Sequence, residues 1–467
     1  MRKFVFLAAV LLSAFAVLHA AREPQPDSRM KNSFRRAEQN GWIYVHLEGS
    51  PAEIGFQHGA LLAKEIEDAK KAIQLSLTHD SKDWSFWRDA AQNTLWPKTP
   101  AEYQAEIQGI VEGLKSKGVK LDAWDVTAMN AWLELSPYYV NWYDKAHKVS
   151  APKQPTPEHC SAFVATGSYT KDAKPVIAHN NWTDYITGTR WNIIFDVAPA
   201  TGHRFIMDGM PGLIHSGDDF GLNDAGIMIT ETTISQFNSF DPKGVPEFAR
   251  ARKAMQYSES IDDFARIMKE GNNGGYANDW LIADRKTGEV ASLELGLKNV
   301  NLMRTKDGYF VGSNYPIDAK LAREETDFDV NNKSVSANAR HIRWDALMKE
   351  NKGRIDVAAA QRFLADHFDT FENKEQPDER TLCGHIDLSP RGSKPWQPEF
   401  GPAGAVQSKA TSSAMAERME MNAALGHSCG IHFKSADFLA KHPEFKWQKP
   451  SLKDMDSRPW TTFRASK

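Results

Sequence analysis

The feature that most restricts how this chain can fold is a run of paired, alternating segments between Ser161 and Asn314. SAFVATG turns at KDAK into PVIAHN, WNIIFDV turns at PATG into HRFIMDG, and FGL turns at NDAG into IMITETT. WLIAD then turns at RKTG into EVASLEL, and VNLMRT turns at KDG into YFVGSN. A period of two sends successive side chains to opposite faces, and short turns rich in Gly, Asn and Asp reverse the chain, so these segments predict β-hairpins and antiparallel sheet.

The flanks follow a different period. From Ala52 to Trp142 the pattern is helical, with Ile107, Ile110, Val111 and Leu114 on one face. Thr99, Pro100 and Glu102 read as N-cap, first-turn proline and capping-box acid of that helix, and Gly118 as its stop. IDDFARIMKE reads as a helix capped by Ser260 with Asp263 three residues on, and SSAMAERMEMNAALG also reads as helix. Between Lys148 and Glu158 the stretch VSAPKQPTPE carries three prolines and no period, which marks an exposed linker. Helices, then hairpins, then more helices give an α+β layered fold.

Composition excludes several functions. Lys+Arg number 57 against Asp+Glu 60, for a net charge of −3, so there is neither a basic nucleic-acid footprint nor an acidic tail. The first residues, MRKFVFLAAVLLSAFAVLHAAREP, place Arg2 and Lys3 before a short apolar run and small residues at Ala20 and Ala21. That is the pattern of a signal peptide over 1–20, too short to span a bilayer, and no later apolar run approaches 18 residues. The expected destination is outside the cytosol: secreted or periplasmic, or lysosomal in a eukaryote.

Export changes how the three cysteines are read. An odd number in an oxidising compartment suggests one disulfide and one free thiol. Cys383 and Cys429 share the C-terminal region, each beside a glycine, and are the expected pair; Cys160 is left over. Cys160 stands where the linker meets the first strand, so a cut before it would create a new N-terminus. An N-terminal cysteine carries its own general base, because an α-amine titrates near ~8 and can take the thiol proton.

Several separate segments, in order, then resemble one family. GSPAEIGFQHGALLAKEI (49–66), HCSAFVATGSYTKDAKPVIAHNNW (159–182), GDDFGLNDAGIMITETT (217–233), NNGGYANDWLIAD (272–284) and YFVGSNYP (309–316) resemble the phospholipase B-like branch of the N-terminal nucleophile (Ntn) hydrolases. That group also holds the C45-type, penicillin acyltransferase-like enzymes. The resemblance implies a four-layer αββα sandwich and autocleavage between His159 and Cys160. It divides the chain into a helical light chain, 21–159, and a catalytic heavy chain, 160–467, that remain associated. It implies Cys160 as nucleophile, Asn314 as oxyanion donor, and His179 and Arg340 as further catalytic residues, with Arg343 the alternative to Arg340. Trp182 and Thr232 become substrate-side residues. The activity implied is hydrolysis of amide or ester bonds in acylated, lipid-like small molecules, or acyl transfer to an amine.

Other motifs carry rival readings. Gly426-His427-Ser428-Cys429-Gly430 fits GxSxG, which would make Ser428 a serine-esterase nucleophile if a strand precedes it and a helix follows. An unprocessed, non-catalytic binding protein is a third possibility. Asp218 and Asp219 read as turn residues, and Asn181 and Asn332 formally fit glycosylation acceptors. No HExxH, paired CxxC or Walker pattern occurs, so no metal and no cofactor is expected.

Overall fold

The computed structural model describes residues 27–79, 82–150, 160–389 and 401–466. The signal-like segment and the linker residues 151–159, His159 among them, lie outside the described residues.

Seventeen strands are described: β1 (Phe34–Arg35), β2 (Ile43–Gly49), β3 (Ser161–Thr166), β4 (Val176–Asp184), β5 (Ile193–Pro199), β6 (Phe205–Gly209), β7 (Gly221–Asn223), β8 (Ile227–Thr233), β9 (Asn278–Asp284), β10 (Glu289–Leu295), β11 (Val300–Thr305), β12 (Gly308–Gly312), β13 (Phe368–Asp369), β14 (Lys374–Glu375), β15 (Ala403–Ser412), β16 (Glu420–Leu425) and β17 (Thr461–Arg464). A nine-stranded sheet runs β1-β2-β5-β6-β7-β8-β9-β10-β11, and a six-stranded sheet runs β12-β3-β4-β15-β16-β17. The pairs within them are antiparallel except one. β2 lies parallel to β5, with Ile43 opposite Ile193 and Gly49 opposite Pro199.

Alternation along each strand builds the layers. Ala162, Val164 and Ile177 meet Tyr44, Ile194, Ile206, Met228 and Leu281 in a core between the two sheets. The opposite faces are covered by helices. Ile66, Ile107 and Ile110 pack with Ile193, Phe195, Ile229 and Trp280 on the nine-stranded sheet. Trp344, Phe363 and Leu364, from the helices Ser336–Glu350 and Val357–Leu364, pack with Phe163, Val176 and Ala178 on the other. Each buried aliphatic or aromatic side chain contributes ~1.5–3 kcal/mol. The result is the expected four-layer αββα sandwich.

Glycines set one helix contact. The helices Pro51–Leu61 and Ala101–Ser116 cross so closely that a Cβ on Gly55 would lie 1.9 Å from the Glu106 carbonyl oxygen, and one on Gly109 would lie 2.4 Å from that of Ala52. The first helix begins with a complete capping box, Ser50 and Glu53.

Three local expectations are corrected. The expected β11–β12 hairpin does not form: β11 pairs with β10 in one sheet, while β12 crosses to pair with β3 in the other. That crossing supplies hydrogen-bond partners to an otherwise open edge of β3, which a local hairpin could not do. The segment expected as helix over 412–426 is helical only at Ser413–Ala416, and Glu420–Leu425 is strand. Its Met, Ala and Glu favour a helix locally, but the ladder to β15 and burial of Met421 and Ala423 between the sheets override that preference. Thr99 does not cap its helix: its hydroxyl donates to the Leu95 carbonyl, and Pro100 occupies the cap position. Gly118 does end that helix, at φ +83°, and Ser260 accepts from the Asp263 N–H as expected.

Candidate active site

Cys160 sits immediately before β3, buried, with φ at +88°. A left-handed φ is unusual for a residue with a Cβ and concentrates at functional positions. β3 pairs with β4 so that Ser161 lies opposite Asn180 and Ala162 opposite His179. The hairpin thereby returns β4 alongside the thiol, and the Trp182 main-chain N–H donates towards the Cys160 sulfur. The thiol, a ring nitrogen of His179 and a carboxylate oxygen of Glu231 lie within 4.8 Å of one another.

Arg340 ties the expected residues together. From the helix Ser336–Glu350 its buried guanidinium donates to the Cys160 carbonyl oxygen, to Ser161 Oγ at 3.1 Å, to Ser336 Oγ at 2.9 Å and to Asn314 Oδ1 at 2.8 Å. It also sits 4.3 Å from the Trp182 ring centroid. Only a planar fork can meet acceptors on this many sides. Arg343 is bound elsewhere, in an ion pair with Asp366. Asn314, at φ +68°, donates from its side-chain amide to the Thr233 carbonyl at 2.8 Å. Thr232 packs against Gly312, where a Cβ would lie 2.6 Å from Thr232 Oγ1. Trp182 packs against Gly384 in the same manner, with a Cβ there falling 2.1 Å from the indole.

Electrostatics define the thiol's state in the continuous chain. Burial first, then the Glu231 carboxylate, pushes the Cys160 thiol well above its ordinary value, so it is protonated at neutral pH. Burial, with the nearby Lys409 cation, pushes His179 well below the usual histidine range, so its imidazole is neutral and readily passes on any proton it receives. His179 Nδ1 lies 3.7 Å from Asp218 Oδ2. Lys409 is opposite His179 on β15 and pairs with both Asp208, at 3.2 Å, and Asp218. Asp208 is pushed up to about 8 by burial and by Asp218.

Sequence reasoning missed this charge network. Asp218 and Asp219, expected as turn residues, are buried: Asp218 holds Lys409, and Asp219 lies 3.6 Å from His215. Lys409 carried no motif, and Glu231 lies within GDDFGLNDAGIMITETT without having been singled out there. The sequence offered no signal for Lys409: in AVQSKAT it shares a phase with Gln407 and Thr411, the pattern of a solvent-facing side, yet the strand is buried on both faces there.

The remaining expectations resolve against the structure. Ser428 follows a strand, but its hydroxyl donates to the Leu364 carbonyl at 2.8 Å, and its motif neighbour His427 bonds Tyr185 and the Ile431 carbonyl instead. The expected Cys383–Cys429 disulfide is not formed; both are free thiols that face two histidines.

The fold and site together define an αββα sandwich with a buried cysteine leading one inner strand and an arginine–asparagine pair bound to it. The family model described as Phospholipase B matches residues 61–300, and the chain belongs to that family. Among its relatives, "Phospholipase B" of Crotalus adamanteus is 25% identical over 73% of this chain and 65% of its own length. "Putative phospholipase B-like 2" of Mus musculus is 25% identical over 60% of this chain and 53% of its own length. An uncharacterized protein of Archaeoglobus fulgidus is also 25% identical, over 53% of this chain and 42% of its own length. The chain thus spans about half the length of these relatives. Among solved structures, a mutant conjugated bile acid hydrolase from Clostridium perfringens aligns at 12% identity and a TM-score of 0.34, covering 56% of this chain and 88% of that one. In the described residues, no helix is long and apolar enough to cross a membrane.

Proposed function

We propose that this chain is an exported, self-processing cysteine hydrolase of the Ntn type, acting on amide or ester bonds of acylated, lipid-like small molecules. The observation that carries the reading is the setting of Cys160: a buried thiol at the head of an inner strand, grouped with a neutral histidine and bound through its own carbonyl to Arg340. The family's name supports an acyl-lipid substrate, and the N-terminal signal pattern supports export.

Maturation begins with the thiol attacking the carbonyl carbon of residue 159 while His179 takes its proton. The C–N bond breaks, the proton goes to the departing nitrogen, and a thioester joins residue 159 to the sulfur. Water then hydrolyses the thioester, leaving a carboxylate on residue 159, a free Cys160 thiol and a free α-amine. In the mature enzyme the α-amine replaces His179 as base. The Arg340 cation beside it favours the neutral amine. The thiolate attacks a substrate carbonyl, the alcohol or amine leaves with a proton, and water releases the acyl group. Asn314 and a main-chain N–H hold the oxyanion, a contribution of about 3 kcal/mol per donor. The two products of the cut stay together because β2, upstream of it, is hydrogen-bonded along its length to β5 downstream.

N-terminal sequencing of the purified protein tests the scheme. A fragment beginning Cys-Ser-Ala-Phe is expected in the wild type and in Ser428→Ala, and is absent in Cys160→Ala, which also loses turnover. A chain that hydrolyses acyl substrates while remaining uncut before Cys160, or that loses turnover with Ser428→Ala alone, would overturn it.

A further inference from the structure

The two cysteines expected to form a disulfide are part of a four-residue cluster on the outer side of the six-stranded sheet. His367 follows the helix Val357–Leu364, Cys383 and His385 lie between β14 and β15, and Cys429 lies in the turn after β16. One ligand atom from each of the four lies within 4.8 Å of all the others. The two histidines approach through the same atom type, Nε2 to Nε2, at 3.2 Å, and Cys429 Sγ lies 3.4 Å from His385 Nε2. A tetrahedral zinc ion, with bonds of ~2.0–2.1 Å to nitrogen and ~2.3 Å to sulfur, sets its ligand atoms roughly 3.3–3.8 Å apart. The measured separations sit close to the lower edge of that range.

We propose that His367, Cys383, His385 and Cys429 form a structural Cys2His2 site for a soft divalent cation, zinc by preference. A disulfide would consume only the two sulfurs and leave two imidazole nitrogens converging on them. A cation at the centre engages all four atoms and leaves no open position, which is the arrangement of a structural site rather than a catalytic one. The segments around it are already held by the main chain: the Cys383 N–H donates to the Asp366 carbonyl, and the His385 N–H to that of Asp378.

The site clamps the loop beneath the candidate active site to the turn after β16. That loop contains Gly384, against which Trp182 rests, and Leu382, whose carbonyl accepts from Asn180 on β4 at 2.8 Å together with that of Leu364. The cation therefore supports the strand that carries His179 and Trp182 from behind, without touching substrate.

The test uses the full-length chain, purified with thiols reduced, stripped by a chelator and titrated with Co2+. The expected result is one cobalt per chain, with tetrahedral visible bands and a thiolate-to-cobalt charge-transfer band, both abolished by Zn2+ displacement. Cys429→Ser and, separately, His367→Asn lose the tight binding, and zinc raises the melting temperature of wild type but of neither variant. Two results overturn the proposal: a reduced wild-type chain that takes up no cobalt, or a cobalt spectrum unchanged by Cys429→Ser. Intact-mass analysis of a separate sample, purified without reductant, adds a third, a chain lighter by two hydrogens with Cys383 linked to Cys429 and no bound metal.

Discussion

Gly384 offers a way to perturb the candidate active site without touching a reactive group. Its φ is +67°, and a Cβ there would lie 2.1 Å and 2.2 Å from two atoms of the buried Trp182 indole. Gly384→Ala therefore incurs two separable costs. Holding a residue with a Cβ in the left-handed region costs ~1–2 kcal/mol. Pushing the indole back to van der Waals contact in a packed interior costs a further ~1–3 kcal/mol. Gly288→Ala is the control, because Gly288 has φ +73° and no atom within 4 Å of the added Cβ. The difference between the two variants in urea denaturation isolates the indole term, expected at ~1–3 kcal/mol. In a Trp182→Ala background, which itself loses the packing of a buried indole, the added cost of Gly384→Ala should shrink to about that of Gly288→Ala, since the clash partner is gone. Turnover should fall in Gly384→Ala and not in Gly288→Ala, because the Trp182 main chain faces the Cys160 sulfur and its ring lies under Arg340. Equal stability losses in the two variants, or full turnover in Gly384→Ala, would refute the reasoning.

Further expectations follow from the same contacts. Arg340→Lys keeps the charge but loses the fork, so at least one charge-assisted hydrogen bond, ~1.5–3 kcal/mol, disappears; acyl-substrate turnover should drop ~10–100-fold, while Arg343→Lys leaves it near wild type. Gly109→Ala gains ~1 kcal/mol of helix propensity but drives a Cβ to 2.4 Å from the Ala52 carbonyl, so denaturant titration should show net destabilisation of ~1–3 kcal/mol. Asp279, which accepts from Ser292 Oγ at 2.6 Å, is pushed by burial up to about 7, whereas an unfolded aspartate ionises near ~3.9. Between those values the unfolded chain has released the proton and the folded chain holds it, so the contribution to stability falls as pH rises through the window. Asp279→Asn should flatten that fall by up to about 4 kcal/mol, read from unfolding free energies measured at the two ends of the window.

Much of the architecture was legible in the residues themselves. Alternation and turn chemistry are local properties, and the hairpins begun by SAFVATG, WNIIFDV, FGL and WLIAD form where those segments place them. The Ser260 cap and the Gly118 stop are equally local. Cys160 was legible for another reason: a linker meeting a strand at a lone cysteine is visible in one dimension. Arg340 and Asn314 were reached through motif resemblance alone.

What tertiary structure decided is pairing over distance. Nothing near VNLMRTKDGYFVG says that its halves join different sheets, because the partner that recruits β12 is an open edge of β3, far earlier in the chain. Nothing in SSAMAERMEMNAAL says strand, because its ladder and its burial come from β15 and the facing sheet. Lys409 is an ordinary cation in the sequence and becomes the centre of a buried network only when Asp208 and Asp218 arrive from distant segments. The same holds for His367, Cys383, His385 and Cys429, whose spacing matches no local metal motif. Local preference is set by neighbours along the chain, whereas a buried charge or a ligand set depends on which distant groups the packed layers bring within a few ångströms.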